Sequence, residues 1–116
     1  MTHERVINPV RAIEQRGRTL VVSVAGDVDV HRSSAFQRSL MDLLDREPRR
    51  IVLDLGEVPY MDSAGLAGLI KLLGHVRRLE IDLWLCRPSD AVRSLLEITR
   101  LDTVFQVSET VEEVMS

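Results

Sequence analysis

One cysteine, Cys86, in 116 residues rules out an intramolecular disulfide and any zinc site built from several thiolates. A reducing compartment, the cytoplasm, follows as the expected location. Aromatic residues make up only 3% of the chain, leaving almost no stacking platforms for bases or sugars. Neither sign of charge prevails: 15 Lys+Arg against 18 Asp+Glu leave a net charge of −3, so nothing draws the chain toward a phosphate backbone or anionic lipid. No apolar run approaches the ~20 residues that span a bilayer, and the amino terminus has no signal-peptide core of about 7 to 15 apolar residues. We therefore expect a soluble protein with no nucleic-acid partner and no direct membrane insertion. Linkers rich in Pro, Gly or Ser are missing, as are internal repeats and low-complexity tracts, so residues 1–116 are expected to form one domain. The 45% of hydrophobic residues can supply its core without metal or disulfide.

What the chain does contain is an alternation of hydrophobic periods. Residues 10–15 predict a modest strand, residues 16–18 a tight turn, and the β-branched run 19–25 a second strand, together a hairpin. Ser34 with Gln37 three residues later forms a capping-box pattern, and Phe36, Leu40, Leu43 and Leu44 continue it as an amphipathic helix bounded by Pro48. Residues 50–55 form a near-continuous apolar run, which predicts a central strand covered on both faces. A second helix is expected from Asp62 to about Arg78, with Leu66, Leu69, Ile70, Leu73 and Val76 as its buried stripe. A strand over 81–86, a third helix capped by Ser89 and running to Thr99, a short strand over 104–107, and a last helix capped by Thr110 with Glu113 complete the chain. Strands separated by helices need crossovers, so the order predicts an α/β fold: a mixed, mostly parallel sheet of four or five strands, an antiparallel edge hairpin and about four helices.

The chemistry concentrates between Ile51 and Leu66. Strand, Gly56/Pro59 loop and helix place Asp62 and Ser63 at a helix N-terminus beyond the carboxyl end of a central strand, where α/β sheets commonly meet ligands and partners. Asp62 suits the N-cap; Ser63 then takes the first helical position with its hydroxyl accessible. Opposite the apolar stripe lie Ala64, Ala67, Gly68, Lys71 and His75, a low face that reads as a docking surface. Gly65 serves either that surface or a close approach of the helix to its own sheet. Asp27 and Asp29, in the preceding strand-to-helix turn, either open a helix by Asx-turn chemistry or touch a partner. Asp54 reads as an anchor for the loop that follows it.

Other candidates carry less. His3, His31 and His75 are far apart and lack helical metal-ligand spacing, and the acidic turn has no calcium or magnesium pattern, so neither metal nor cofactor is expected. The Asp62-Ser63-Ala64-Gly65 segment lacks the Gly-x-Ser-x-Gly elbow, and no histidine is placed as a base for Ser63, which argues against an enzyme. Cys86, Trp84, Leu95, Leu96, Ile98 and Leu101 read as packing residues, and the Arg49-Arg50 and Arg77-Arg78 pairs as solvated ends.

Met61-Asp62-Ser63-Ala64-Gly65-Leu66, preceded by the apolar strand, resembles the signature of the STAS-domain family, and within it the bacterial anti-anti-sigma factors, or anti-sigma factor antagonists. Gly26-Asp27-Val28-Asp29 is similar to that family's Gly-Glu-Leu-Asp turn, and the likeness extends along essentially the whole chain. The resemblance implies the STAS fold and a protein–protein switch. It further implies that the partner is an anti-sigma factor, a serine kinase of histidine-kinase-like ATPase fold, which in that family phosphorylates the motif's first serine. In that family only the dephosphorylated form binds the partner and frees the sigma factor, and a serine phosphatase is implied to reset the cycle. By match of position Ser63 inherits the phosphoacceptor role, and partner contact is expected of Asp27, Asp29, Asp62, Ser63, Ala64, Gly65, Ala67, Gly68 and Lys71. Ala64 departs from the commoner Asp-Ser-Ser-Gly and leaves Ser63 the only acceptor in the motif, while Asp27 replaces the usual Glu. The same resemblance allows an alternative, a STAS subunit of a membrane lipid-transport ATPase complex. A purely structural alternative makes Ser63 a supplement to the Asp62 cap.

Overall fold

The computed structural model describes residues 8–115; His3 lies outside them. Val10–Arg16 (β1) and Thr19–Ala25 (β2) pair antiparallel across the two-residue turn Gly17-Arg18. There follow Ser33–Leu44 (α1), Arg50–Glu57 (β3), Ser63–Arg78 (α2), Asp82–Cys86 (β4), Asp90–Ile98 (α3), a single 3-10 turn at Leu101–Thr103, Gln106–Ser108 (β5) and Val111–Met115 (α4). The strands lie in chain order, β1-β2-β3-β4-β5, and β2 through β5 run parallel. This is the mixed sheet with an edge hairpin and four helices that the residue pattern predicts.

Strand order equal to chain order decides where the helices go. Parallel crossovers are right-handed, so three successive steps in one direction bring α1, α2 and α3 to the same face of the sheet. The period of two then sorts the side chains. Leu20, Val22 and Val24, Ile51, Leu53 and Leu55, and Leu83 and Leu85 point into that layer, against Phe36, Leu40 and Leu43 of α1, Leu66, Leu69, Leu72 and Val76 of α2, and Val92 and Leu96 of α3. Val21, Val52 and Cys86 point the other way, under Val111 and Val114 of α4. The apolar run of β3 is thus explained: it is the middle strand and both of its faces are covered. Burial beneath α4, with nearby Asp54, Glu112 and Glu113, pushes the Cys86 thiol up to about 11, so it stays protonated and unreactive at neutral pH.

The short α4 is fastened from below. Arg50 donates from Nη1 to the Val114 carbonyl at 2.7 Å and from Nε to Asp82 Oδ2 at 2.9 Å, so one guanidinium ties the helix C-terminus to β3 and β4. Asp82 also accepts from Trp84 Nε1 at 2.9 Å and from Gln106 Nε2 at 2.6 Å, which joins β5 to the same cluster.

Several details differ from the sequence expectations, each for a local reason. The first helix begins at Ser33, and the Ser34/Gln37 capping box does not form its start: Arg32 holds the cap position without a side-chain cap bond. The opening is held from outside by Asp29, whose Oδ1 accepts from His31 N at 3.0 Å and Arg32 N at 3.2 Å. The last strand is Gln106–Ser108 instead of 104–107, because the Leu101 carbonyl accepts from both Val104 N and Phe105 N and curls the chain before it can pair. Ile70 and Ile98, both expected in the packing, are exposed; Leu72 takes the buried place on α2. The stripe is centred one residue away from where the sequence placed it, so Ile70 faces outward.

Gly74 of α2 has nothing within 4 Å of the position a Cβ would take. Replacing helical Gly by Ala removes backbone freedom from the unfolded chain, so Gly74→Ala is expected to raise stability by about 0.5–1 kcal/mol in urea titration.

Candidate functional site

The parallel strands β2 and β3 end side by side, and the segments that leave them, residues 26–32 and 58–62, stay paired beyond the sheet. Gly26 N donates to the Glu57 carbonyl at 2.9 Å and Val28 N to the Tyr60 carbonyl at 3.0 Å, and Asp62 N donates to the Val28 carbonyl at 3.2 Å. Val28 and Met61 form an isolated parallel bridge, and both side chains are buried beneath the two loops. The sheet therefore continues as a narrow two-stranded tongue up to the first turn of α2.

Asp62 closes that tongue. Its backbone is extended and its Oδ1 accepts from Ala64 N at 2.9 Å and Gly65 N at 3.1 Å, the N-cap geometry that the sequence predicts. Its other oxygen, Oδ2, accepts from Val30 N at 3.0 Å in the neighbouring loop. One carboxylate thus satisfies donors on two segments, and hydrogen bonds to a charged group contribute about 1.5–3 kcal/mol each. Asp29 anchors the same loop at its far end, with Oδ2 accepting from Arg32 Nη1 at 3.1 Å. Asp54 does the corresponding work at the β3 end: Oδ1 accepts from Gly56 N at 3.0 Å and from Arg87 Nε at 2.9 Å.

Ser63 occupies the first position of α2 and is exposed. Ala67, Ile70, Lys71 and Gly74 follow at i+4, i+7, i+8 and i+11, and of these Ala67, Ile70 and Lys71 are exposed, so the helix face that continues from the serine is open to solvent. Asp27 is exposed in the adjoining loop, Asp29 and Asp62 are half-buried because they hold backbone, and Ala64 is half-buried.

Gly68, expected on this surface, is not on it, and Gly65 takes the close-approach role that the sequence left open. Gly68 is buried against α1, where a Cβ would lie 3.3 Å from the Phe36 ring; its small size lets the two helices approach. Gly65 is buried over the tongue, where a Cβ would lie 2.5 Å from the Val28 carbonyl oxygen and 2.8 Å from Val28 Cγ1. Its close approach is made to the loop after β2, not to the strands themselves. Conversely, the sequence reading missed Val30 and Tyr60, which stand exposed on the two loops beside Ser63. The signal for Tyr60 was present: it is the single tyrosine of the chain and sits in a Pro59 loop, a poor place for a core residue.

Comparison with known proteins agrees with this fold. The STAS-domain profile matches residues 11–114. The chain belongs to the STAS-domain family. This STAS domain is 30% identical over 93 residues to BtrV of Bordetella bronchiseptica, named as a candidate anti-sigma factor antagonist, with 80% of each chain covered. It is 31% identical over 91 residues to the anti-sigma-B factor antagonist of Staphylococcus aureus, covering 78% of this chain and 84% of that one. Its fold matches that of the anti-sigma factor antagonist SpoIIAA in its unphosphorylated form with a TM-score of 0.77 at 20% identity, over 90% of this chain and 91% of that one. The phosphorylated form of SpoIIAA, from Bacillus, gives a TM-score of 0.71 at 19% identity, over 90% and 95% of the two chains.

Two substitutions in this STAS domain test the tongue. Asp62→Ala leaves three backbone donors without their acceptor and is expected to cost about 2–3 kcal/mol, with hydrogen exchange at the Val30 amide accelerating in step. Gly65→Ala meets backbone that cannot yield and is expected to lose about 1–3 kcal/mol in urea titration, opposite in sign to Gly74→Ala.

Proposed function

We propose that this STAS domain is an anti-sigma factor antagonist controlled at Ser63. Unmodified, it binds an anti-sigma factor that is itself a serine kinase of histidine-kinase-like ATPase fold, and so frees the sigma factor. Phosphorylation of Ser63 ends the binding, and a serine phosphatase restores it. In this reading the chain is a kinase substrate and carries out no catalysis. The observation that carries it is the placement of Ser63: an exposed serine, in the family's motif, on a hydrogen-bonded base and beside a solvent-open helix face. The names of its relatives point the same way.

The local electrostatics support a switch by charge. A helix N-terminus ordinarily welcomes phosphate. Here Ala64 N and Gly65 N already donate to Asp62 Oδ1, and Leu66 N donates to the Asp62 carbonyl at 3.0 Å. A phosphate on Ser63 finds little free donor capacity and has a carboxylate for its neighbour. Lys71 lies eight residues on, about 12 Å along the helix axis, too far to form an ion pair with it. The added charge, about −1.5 to −2, therefore stays uncompensated at the surface a partner must cover. Desolvating it costs several kcal/mol, and about 1.4 kcal/mol is already tenfold in affinity.

Incubation with the anti-sigma factor and ATP is expected to add one phosphoryl group, mapped to Ser63 by intact-mass and peptide spectrometry, and none to Ser63→Ala. In titration calorimetry Ser63→Ala should bind that kinase as tightly as the unmodified protein, whereas Ser63→Asp should bind at least about tenfold more weakly. Equal affinity for the phosphorylated and unmodified proteins would falsify the reading.

A further inference from the structure

Six large apolar side chains stand exposed among the described residues, and they fall at two places. Leu79, Ile98 and Val104 lie toward the amino ends of the parallel strands, each at or just past the end of an element. Val30, Tyr60 and Ile70 belong to the loops and helix that carry Ser63, with 63%, 50% and 45% of their surfaces exposed. Single exposed apolar residues need no explanation, but three on the two loops and the helix that meet at Ser63 do.

The backbone beneath this group is already ordered. Val30 N is held by Asp62 Oδ2 and the Tyr60 carbonyl by Val28 N, so a partner that covers these side chains need not immobilise their loops. Tyrosine has few rotatable bonds and a large surface, which makes it a frequent anchor at the centre of interfaces. The surroundings are acidic: residues 26–32 and 57–62 contain four carboxylates, Asp27, Asp29, Glu57 and Asp62, against one arginine, Arg32. Two copies of this chain meeting here would oppose like charges. The face is therefore suited to a different protein, one that is apolar at its centre and basic at its border.

We propose that Tyr60, aided by Val30 and Ile70 on the adjoining loop and helix, is the anchor by which the anti-sigma factor is held, seated in an apolar pocket bordered by lysine or arginine. This rests on the reading of Ser63 as the switch on the same face. It adds a division of labour: the three apolar side chains supply affinity, the carboxylates of the two loops steer and orient the approach, and Ser63 decides whether the surface can be desolvated.

The test is titration calorimetry of the unphosphorylated protein against the purified kinase that modifies Ser63, with circular dichroism melts to confirm folding. Tyr60→Ala is expected to weaken binding by about tenfold or more, Tyr60→Phe to retain most of it, and Ile98→Ala, exposed at the other end of the molecule, to change it less than about twofold. Raised salt should slow association of the wild type, and slow it less for an Asp27→Asn, Glu57→Gln double variant. Should Tyr60→Ala fail to fold, Ile70→Asp, at an exposed helix position, reads the same face and is expected to weaken binding comparably. Wild-type affinity in Tyr60→Ala or, where that fails to fold, Ile70→Asp, or a loss in Ile98→Ala equal to that in Tyr60→Ala, overturns the inference. If Tyr60→Ala binds normally while Ser63→Asp is weakened, the anchor is wrong and the switch stands. If Ser63→Asp binds normally while Tyr60→Ala is weakened, the switch is wrong and the anchor stands.

Discussion

Much of this molecule's functional edge depends on the carboxylate of Asp62. It accepts two hydrogen bonds from the opening turn of α2 and a third from Val30 across the gap, so helix and loop share one charge. Three donors on one carboxylate, in a half-buried place, make a junction that cannot loosen in one segment without exposing an unsatisfied N–H in another. Ser63 stands on that junction. Its exposure therefore reflects the position of a fixed backbone, with the residue at the surface while the amides on either side of it are hydrogen-bonded.

The rest of the architecture serves to bring the two loops together. Sequential parallel strands with right-handed crossovers place three helices on one face, which leaves β2 and β3 as neighbours whose carboxyl ends open at the same edge. Glycine then sets the fit. Gly68 lets α2 come against Phe36 of α1, and Gly65 lets its first turn rest on Val28, so the two approaches together determine the height and tilt of the helix that carries Ser63. Small residues that look like a surface device from the sequence are used inwardly, and the outward face is made instead by Ala67, Ile70 and Lys71.

The order of elements, the edge hairpin, the central strand and the Asp62 cap were all legible in the sequence, because each rests on a local rule: period, β-branching, or a cap residue ahead of an apolar stripe. The Ser34 capping box failed because the helix already opens at Ser33, which puts Ser34 inside the first turn, while Asp29 holds the His31 and Arg32 amides just ahead of it. Ile70 was misplaced because Gly65 and Gly68 count as nothing on a hydrophobic wheel, yet both are buried, so the true inward face is centred on positions with no side chain to mark it. Val30 and Tyr60 escaped for a related reason: their position depends on pairing between loops thirty residues apart, which no period reports. The family motif points to Ser63, but not to the apolar side chains exposed on the neighbouring loops.

Those side chains and the rigid base beneath them bear on which kind of switch the proposed phosphorylation can throw. A conformational mechanism would have to break the bonds from Val30, Ala64 and Gly65 to Asp62 and unpair Val28 from Tyr60 and Asp62, several hydrogen bonds in a packed junction worth about 1 kcal/mol or more each. An electrostatic mechanism needs only that a new dianion resist desolvation beside an existing carboxylate, and about 3 kcal/mol of such resistance lowers affinity roughly a hundredfold. The smaller perturbation suffices, and the hydrogen-bonded junction opposes the larger one. A phosphorylated chain should then keep the Val30 amide as protected as the unmodified chain does, with the change in partner affinity arising at the surface alone.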